Sequence, residues 1–197
     1  MLVGAIGCSE FSLHEEPVLP PAVPPGRDQG PGGVPPDWND CEGGYAGHYF
    51  NLPDDHPDVE TRVSSLDGVD WWDERYASFE RYEPSLDLGP SWWPVDEAFA
   101  NDPRYFAAVW YGWIRVEEGG GYPVIAGSAT DLQVVVGETV VVEQIGATEL
   151  DTRTYDVDLQ SGVAPVVVRF AHRIGEEDGM RFRFGTDQVQ LCYPAWE

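Results

Sequence analysis

Tryptophan is the residue type in this chain whose placement most suggests chemistry. Eight occur in 197 residues, and they include two adjacent pairs, Trp71-Trp72 and Trp92-Trp93. An exposed indole beside carboxylates can stack on the C–H face of a pyranose while Asp or Asn accepts the sugar's hydroxyl hydrogen bonds. In an extended segment consecutive side chains point to opposite faces, so burial of one member of a pair leaves its neighbour at the surface or over a loop. The competing reading is that these rings plug the ends of a domain and pack its long loops. Arg169, Arg181 and Arg183 form a second set, on the polar faces of strand-patterned segments. Pairing across strands with Asp156 and Asp158 would use them at roughly a few tenths of a kcal/mol each. The alternative is a guanidinium row holding a carboxylated sugar or an acidic peptide.

Catalytic signatures are sparse, and the chain reads as a non-enzyme. His14, His48, His56 and His172 are isolated from one another, with no H-E-x-x-H spacing. A glycosidase needs two carboxylates about 5 to 10 Å apart across a cleft. With 35 acidic residues some pair meets that spacing by chance, so acidity is no evidence of catalysis. There is no nucleophile elbow and no dinucleotide fingerprint; Gly119-Gly120-Gly121 precedes a strand and reads as a hairpin turn.

Charge narrows the partners. The net charge is −24 and all 11 Lys+Arg cations are arginine. Nucleic acid is excluded as a default partner, because binding phosphates by counterion release needs a basic surface. The same charge argues against lying on an anionic membrane by electrostatic attraction. No stretch approaches the roughly 18 apolar residues of a transmembrane helix, so any membrane attachment is expected through a lipid.

Such an anchor is suggested by Leu2-Val3-Gly4-Ala5-Ile6-Gly7-Cys8, which resembles a bacterial lipobox, cut before the cysteine that then carries the lipid. Residues 1–8 would be a truncated signal peptide. The run is short and no basic segment precedes it, which fits either a start codon placed too late or a chance match. Export to the envelope, at the outer membrane or cell surface, is the expectation. Lipidation of Cys8 leaves Cys41 and Cys192, which bracket the strand-patterned region. They are read either as a disulfide, favoured by export, or as two buried thiols. In the chain-entropy model closing so long a loop is worth roughly 5 kcal/mol.

Between these cysteines and the lipobox, residues 9–40 carry Pro20-Pro21, Pro24-Pro25-Gly26, Gly30-Pro31-Gly32-Gly33 and Pro35-Pro36, the composition of a semi-flexible spacer. Residues 41–197 change character. Tyr155, Val157 and Leu159 alternate with polar neighbours, as do Met180, Phe182 and Phe184, then Val189 and Leu191. The run from Tyr105 to Val116 places Phe106, Ala108, Trp110, Gly112, Ile114 and Val116 on one face. Val134 to Val142 reads as two strands around a tight turn at Gly137-Glu138. Residues 64–101 are expected to form long loops with one short strand near Val69-Asp70-Trp71-Trp72. Many short strands without a helical repeat predict an all-β fold, an antiparallel sandwich or jelly-roll-like barrel with long loops.

The order of these motifs resembles the PA-fourteen domain, named for bacterial toxin protective antigen. The resemblance is carried by Gly44-Tyr45-Ala46-Gly47-His48-Tyr49-Phe50, Phe106 to Ile114, Gly121 to Gly127, the Val136-Gly137-Glu138 hairpin, Val166 to Phe170 and Met180 to Phe184. It implies a β-sandwich that often binds carbohydrate, in some members through calcium held by two adjacent aspartates in the loop before the hairpin. Here that loop, Ser128-Ala129-Thr130-Asp131, supplies one. Calcium takes six to eight oxygens, usually with two or more carboxylates, so calcium is doubtful as a cofactor and Asp131 is the weak candidate ligand. Asp54-Asp55 lies in the wrong place in the motif order to replace it. The expectation is non-catalytic glycan binding or adhesion, with Trp71, Trp72, Trp92, Trp93 and Asp131 as candidate contacts. The alternative is a structural or protein-interaction module of the envelope without a sugar site.

Overall fold

The alternating segments become strands of two facing antiparallel sheets in the computed structural model, which describes residues 35–39, 41–52, 63–89, 105–173 and 179–194. Cys8, the 9–34 part of the spacer, Asp54-Asp55, Trp92 and Trp93 lie outside the described residues. In chain order the strands are β1 (Cys41–Glu42), β2 (Tyr45–Leu52), β3 (Ala77–Glu83), β4 (Leu86–Leu88), β5 (Tyr105–Val116) and β6 (Gly120–Ser128). They continue with β7 (Asp131–Val136), β8 (Thr139–Gln144), β9 (Asp151–Leu159), β10 (Gly162–His172), β11 (Met180–Phe184) and β12 (Val189–Pro194).

The larger sheet runs β1-β12-β5-β10-β7-β8, and the smaller runs β4-β11-β6-β9. β5 organises the larger sheet because it is long enough to take two partners along one edge. β2 pairs with Tyr105 to Tyr111 and β12 with Trp113 to Val116, while β10 follows nearly its whole length on the other edge. β3 pairs with the free side of β2. The sheets remain separate, so the architecture is a sandwich and not a closed barrel.

The predicted inner face of β5 is the core. Phe106, Ala108, Trp110, Ile114 and Val116 pack against Leu86, Val124, Ala126, Met180 and Phe182 of the opposite sheet. Each such large apolar side chain contributes about 1.5–3 kcal/mol when fully buried. Close packing reaches the backbone: a Cβ on Gly47 would sit 2.8 Å from the Trp110 ring. Trp110 Nε1 donates to Tyr49 Oη at 3.1 Å, and Tyr49 donates to Glu83 Oε1 at 2.5 Å. Burial, then the Glu83 charge, pushes the Tyr49 phenol well above its ordinary pKa.

β5 is apolar on its outer face as well, and the reason lies in residues 63–76. Leu66 and Trp71 from this segment cover Phe50, Tyr105, Ala107 and Val109, forming a second apolar cluster on the outside of the larger sheet. Burial on both faces explains why Tyr105 to Trp110 reads as a continuous apolar run. The segment differs from expectation in two ways. Residues 69–72 form no strand: Trp71 and Trp72 lie in a turn closed by the Asp73 N–H donating to the Asp70 carbonyl at 3.0 Å, followed by a 3-10 turn at Glu74–Tyr76. β3 and β4 then lie where long loops were expected.

The expected hairpin is present, with Gly137 at φ +62° in the two-residue turn between β7 and β8, a conformation that glycine adopts without strain. The arginine pairing differs. Arg181 lies directly opposite Asp87 in the β11–β4 ladder and binds it at 2.7 Å. Asp156 and Asp158 are on β9, beyond β6, and Arg169 belongs to the other sheet. Cys41 and Cys192 form a disulfide with a Cα–Cα distance of 5.4 Å, joining β1 to β12 and with them the two ends of the domain.

Candidate functional site

A cleft of about 340 Å³ opens on the outer face of the larger sheet, at the small end of ligand-pocket sizes. Its floor comes from β2, β5 and β10, and residues 66–73 form a wall. Across the floor six residues share one register: Glu80 on β3, His48 on β2, Val109 on β5, Arg169 on β10, Gln133 on β7 and Glu143 on β8. Residues directly opposite one another in antiparallel strands project to the same face, so sheet pairing alone assembles this row.

Polar contacts fix it from both ends. His48 Nδ1 lies 3.0 Å from Glu80 Oε1, and the His48 ring meets Tyr111 edge-on at 5.3 Å. On the other side Arg169 Nη1 donates to Gln133 Oε1 at 2.8 Å. The Gln133 amide nitrogen in turn donates to Glu143 at 3.0 Å and to Asp67 at 3.3 Å. Buried Val109 separates the two halves and gives the floor an apolar centre.

The wall presents Trp72. Its Nε1 donates to the Ala108 carbonyl at 3.1 Å, and its ring lies 5.6 Å from the Arg169 guanidinium carbon. The indole is thereby oriented while part of it stays exposed to the cleft. Asp67, Asp70 and Asp73 line the same opening. Arg75 binds Asp70 and Asp73, each at 3.0 Å, which stiffens the turn that carries Trp72. An oriented aromatic face, carboxylate acceptors, an imidazole and a guanidinium around an apolar floor suit a small polar ligand that has an apolar face.

Trp71 and Asp131 are placed elsewhere. Trp71 is fully buried in the second apolar cluster, with the Arg173 guanidinium 4.6 Å from its ring centre. Arg173 Nε donates to Asp131 Oδ2 at 2.5 Å, and both side chains are 0% exposed. Asp131 Oδ1 accepts the Gly146 backbone N–H at 2.7 Å. The candidate calcium carboxylate is therefore enclosed in an ion pair, and Trp71 offers no face to a ligand. Among the described residues, no three His, Cys, Asp or Glu side chains converge to hold a metal. Of the pair Trp71-Trp72, one ring is buried and the other reaches the surface, as an extended pair would behave, although a turn brings this about.

Several cleft residues escaped the sequence reading. His48 and Tyr111 entered only as members of the resemblance motifs, His48 also as an isolated histidine, and Asp67 and Gln133 carried no signal, because their convergence depends on the register of six strands. Arg169 was visible as an unusual cation but was grouped with Arg181 and Arg183, which lie on the other sheet.

No family model and no curated protein matches the chain. Solved structures do. The PA14 domain of the antifreeze protein MpAFP aligns with a TM-score of 0.57 at 11% identity, covering 83% of this chain and 96% of that one. The fold is PA14-like. A PA14 sugar-binding domain from an RTX adhesin aligns with a TM-score of 0.56 at 16% identity, covering 76% and 94%. An anti-sigma factor domain-containing protein aligns with a TM-score of 0.53 at 13% identity and 82% coverage of this chain. This chain spans 47% of that protein, and 15% of a GH31 alpha-xylosidase from Xanthomonas citri that also matches. The PA14-like sandwich here thus corresponds to nearly whole PA14 domains in two structures and to about half of a longer protein in a third.

Proposed function

We propose that this PA14-like domain is a non-catalytic carbohydrate-binding module of an adhesion protein, and that the outer cleft holds the sugar. The observation that carries the reading is the partly buried Trp72 ring, which lines the cleft and is held by its hydrogen bond to Ala108 beside Asp67 and Asp70. A pyranose stacked on that indole would lay its C–H face on the ring and turn its hydroxyls toward the carboxylates and His48. The matched adhesin domain is a sugar-binding domain, which supports the same class of ligand.

The site uses no calcium in this reading, because Asp131 is committed to Arg173. The disulfide fits an oxidising, extracellular location, and attachment through a lipid on Cys8 is part of the proposal. The test is a glycan array with the full chain, run once with calcium and once with a chelator. Retention of the same glycans in both conditions is expected. No retention in either would replace the sugar reading with a protein-interaction module, and retention only with calcium would overturn the assignment of the cleft.

A further inference from the structure

Arg169 is set apart from most arginines around it. Among the described residues Arg75, Arg81, Arg153, Arg173 and Arg181 each bind a carboxylate. In a chain of net charge −24 that is the default fate of a cation. Arg169 instead lies in the cleft and is held by a neutral group, the Gln133 amide oxygen at 2.8 Å, with its guanidinium near the face of Trp72. Glu143 and Asp67, the acids nearest in this network, bind the other end of the same amide.

The consequence follows from donor geometry. A guanidinium carries five N–H donors in a planar fork. One contact, at Nη1, anchors the group through Gln133. Contact with Trp72 limits its tilt, and the fork suits a carboxylate bound through two parallel hydrogen bonds. Gln133 can hold the cation without neutralising it, which an aspartate or glutamate at that position would not do. Arg169 and His48 flank Val109 on strands whose backbones lie two spacings apart, about 10 Å. Of the acids on the wall, Asp70 and Asp73 are already bound to Arg75 and Asp67 accepts from Gln133.

Resting on the carbohydrate reading of this cleft, we infer that the ligand is an acidic saccharide whose carboxylate is bound by Arg169 while its ring stacks on Trp72. Neutral sugars would make the stacking contact only.

The experiment uses the full chain and matched probes that differ only in whether the carboxylate is free or methyl-esterified: oligogalacturonate against its methyl ester, and sialyl-lactosamine against its methyl ester. The acidic member of at least one pair is expected to bind at least about tenfold more tightly, the gain from one charge-assisted bidentate contact. Arg169→Gln should weaken the acidic member far more than the neutral one, so that the ratio between the two falls to within about twofold. Arg169→Lys, which keeps the charge without the fork, should restore part of that preference. Equal or tighter binding of the neutral members, or equal weakening of both by Arg169→Gln, would overturn the inference while the carbohydrate reading stood. No binding of any of the four probes, together with an empty glycan array, would remove both.

Discussion

His48 and Arg169 stand on either side of Val109 in one cross-strand row of the larger sheet, the first tied to Glu80 and the second to Gln133. Neither contact crosses Val109, so the two halves of the cleft floor are positioned independently by their own strands. A one-residue slip of β2 or β10 would turn either side chain to the inner face. The register of β5 with both neighbours is therefore as much a part of the site as the side chains themselves.

The Asp131–Arg173 pair is predicted to be structural. Removing one partner of a buried ion pair leaves a desolvated charge and costs about 3–5 kcal/mol. Asp131→Ala should lower the unfolding free energy by that amount, read as a lower denaturant midpoint, and calcium should leave the wild-type midpoint where it is. A calcium-dependent rise that Asp131→Ala abolished would place a metal on this carboxylate instead.

The disulfide closes a loop whose ends are 151 residues apart in sequence. Replacing Cys41 and Cys192 by alanine should cost about 2–5 kcal/mol, chiefly by freeing the unfolded chain. Guanidinium unfolding of the oxidised wild type and the double variant measures this directly. Coincident unfolding curves would show that the β1–β12 pairing needs no cross-link.

His172 predicts a pH dependence. Burial pushes its imidazole down to about 4 from the usual 6.5, with the Asp131 charge opposing the shift. The folded protein therefore keeps the ring neutral where the unfolded chain protonates it. Stability from this residue is constant above about pH 6.5, falls between pH 6.5 and 4, and levels off below, with a slope approaching about 1.4 kcal/mol per pH unit. His172→Gln should flatten that part of the profile. An unchanged difference between the two proteins from pH 7 to pH 4.5 would contradict the buried neutral state.

Legibility followed the range of the interaction concerned. The face of β5, the Gly137 hairpin, and β9, β11 and β12 could be read from period-two alternation, because each strand's pattern records what lies on its two sides. The motif order also carried the PA14-like sandwich, which the solved structures bear out. β3 and β4 were not legible: Ser78, Glu80 and Asp87 give a strand little apolar contrast, and their pairing is set by β2 and β11. Asp131 resembled a loop ligand because its partner, Arg173, is 42 positions away. The cleft was hidden for the same reason, since its six-residue row spans residues 48 to 143 and 169 and exists only once the strands pair.

The two adjacent indoles give the most direct test of the central claim. Trp71→Ala should destabilise the domain by about 3–5 kcal/mol, as loss of a buried aromatic does. Trp72→Ala should fold, keep the disulfide, and weaken glycan binding by at least about tenfold, the ~1.4 kcal/mol of a stacking contact. The measurement is the glycan array repeated with Trp72→Ala beside the wild type, after both give the same circular dichroism spectrum. Loss of the retained glycans is the predicted result; retention of the same set at the same strength would contradict the outer cleft as the sugar site.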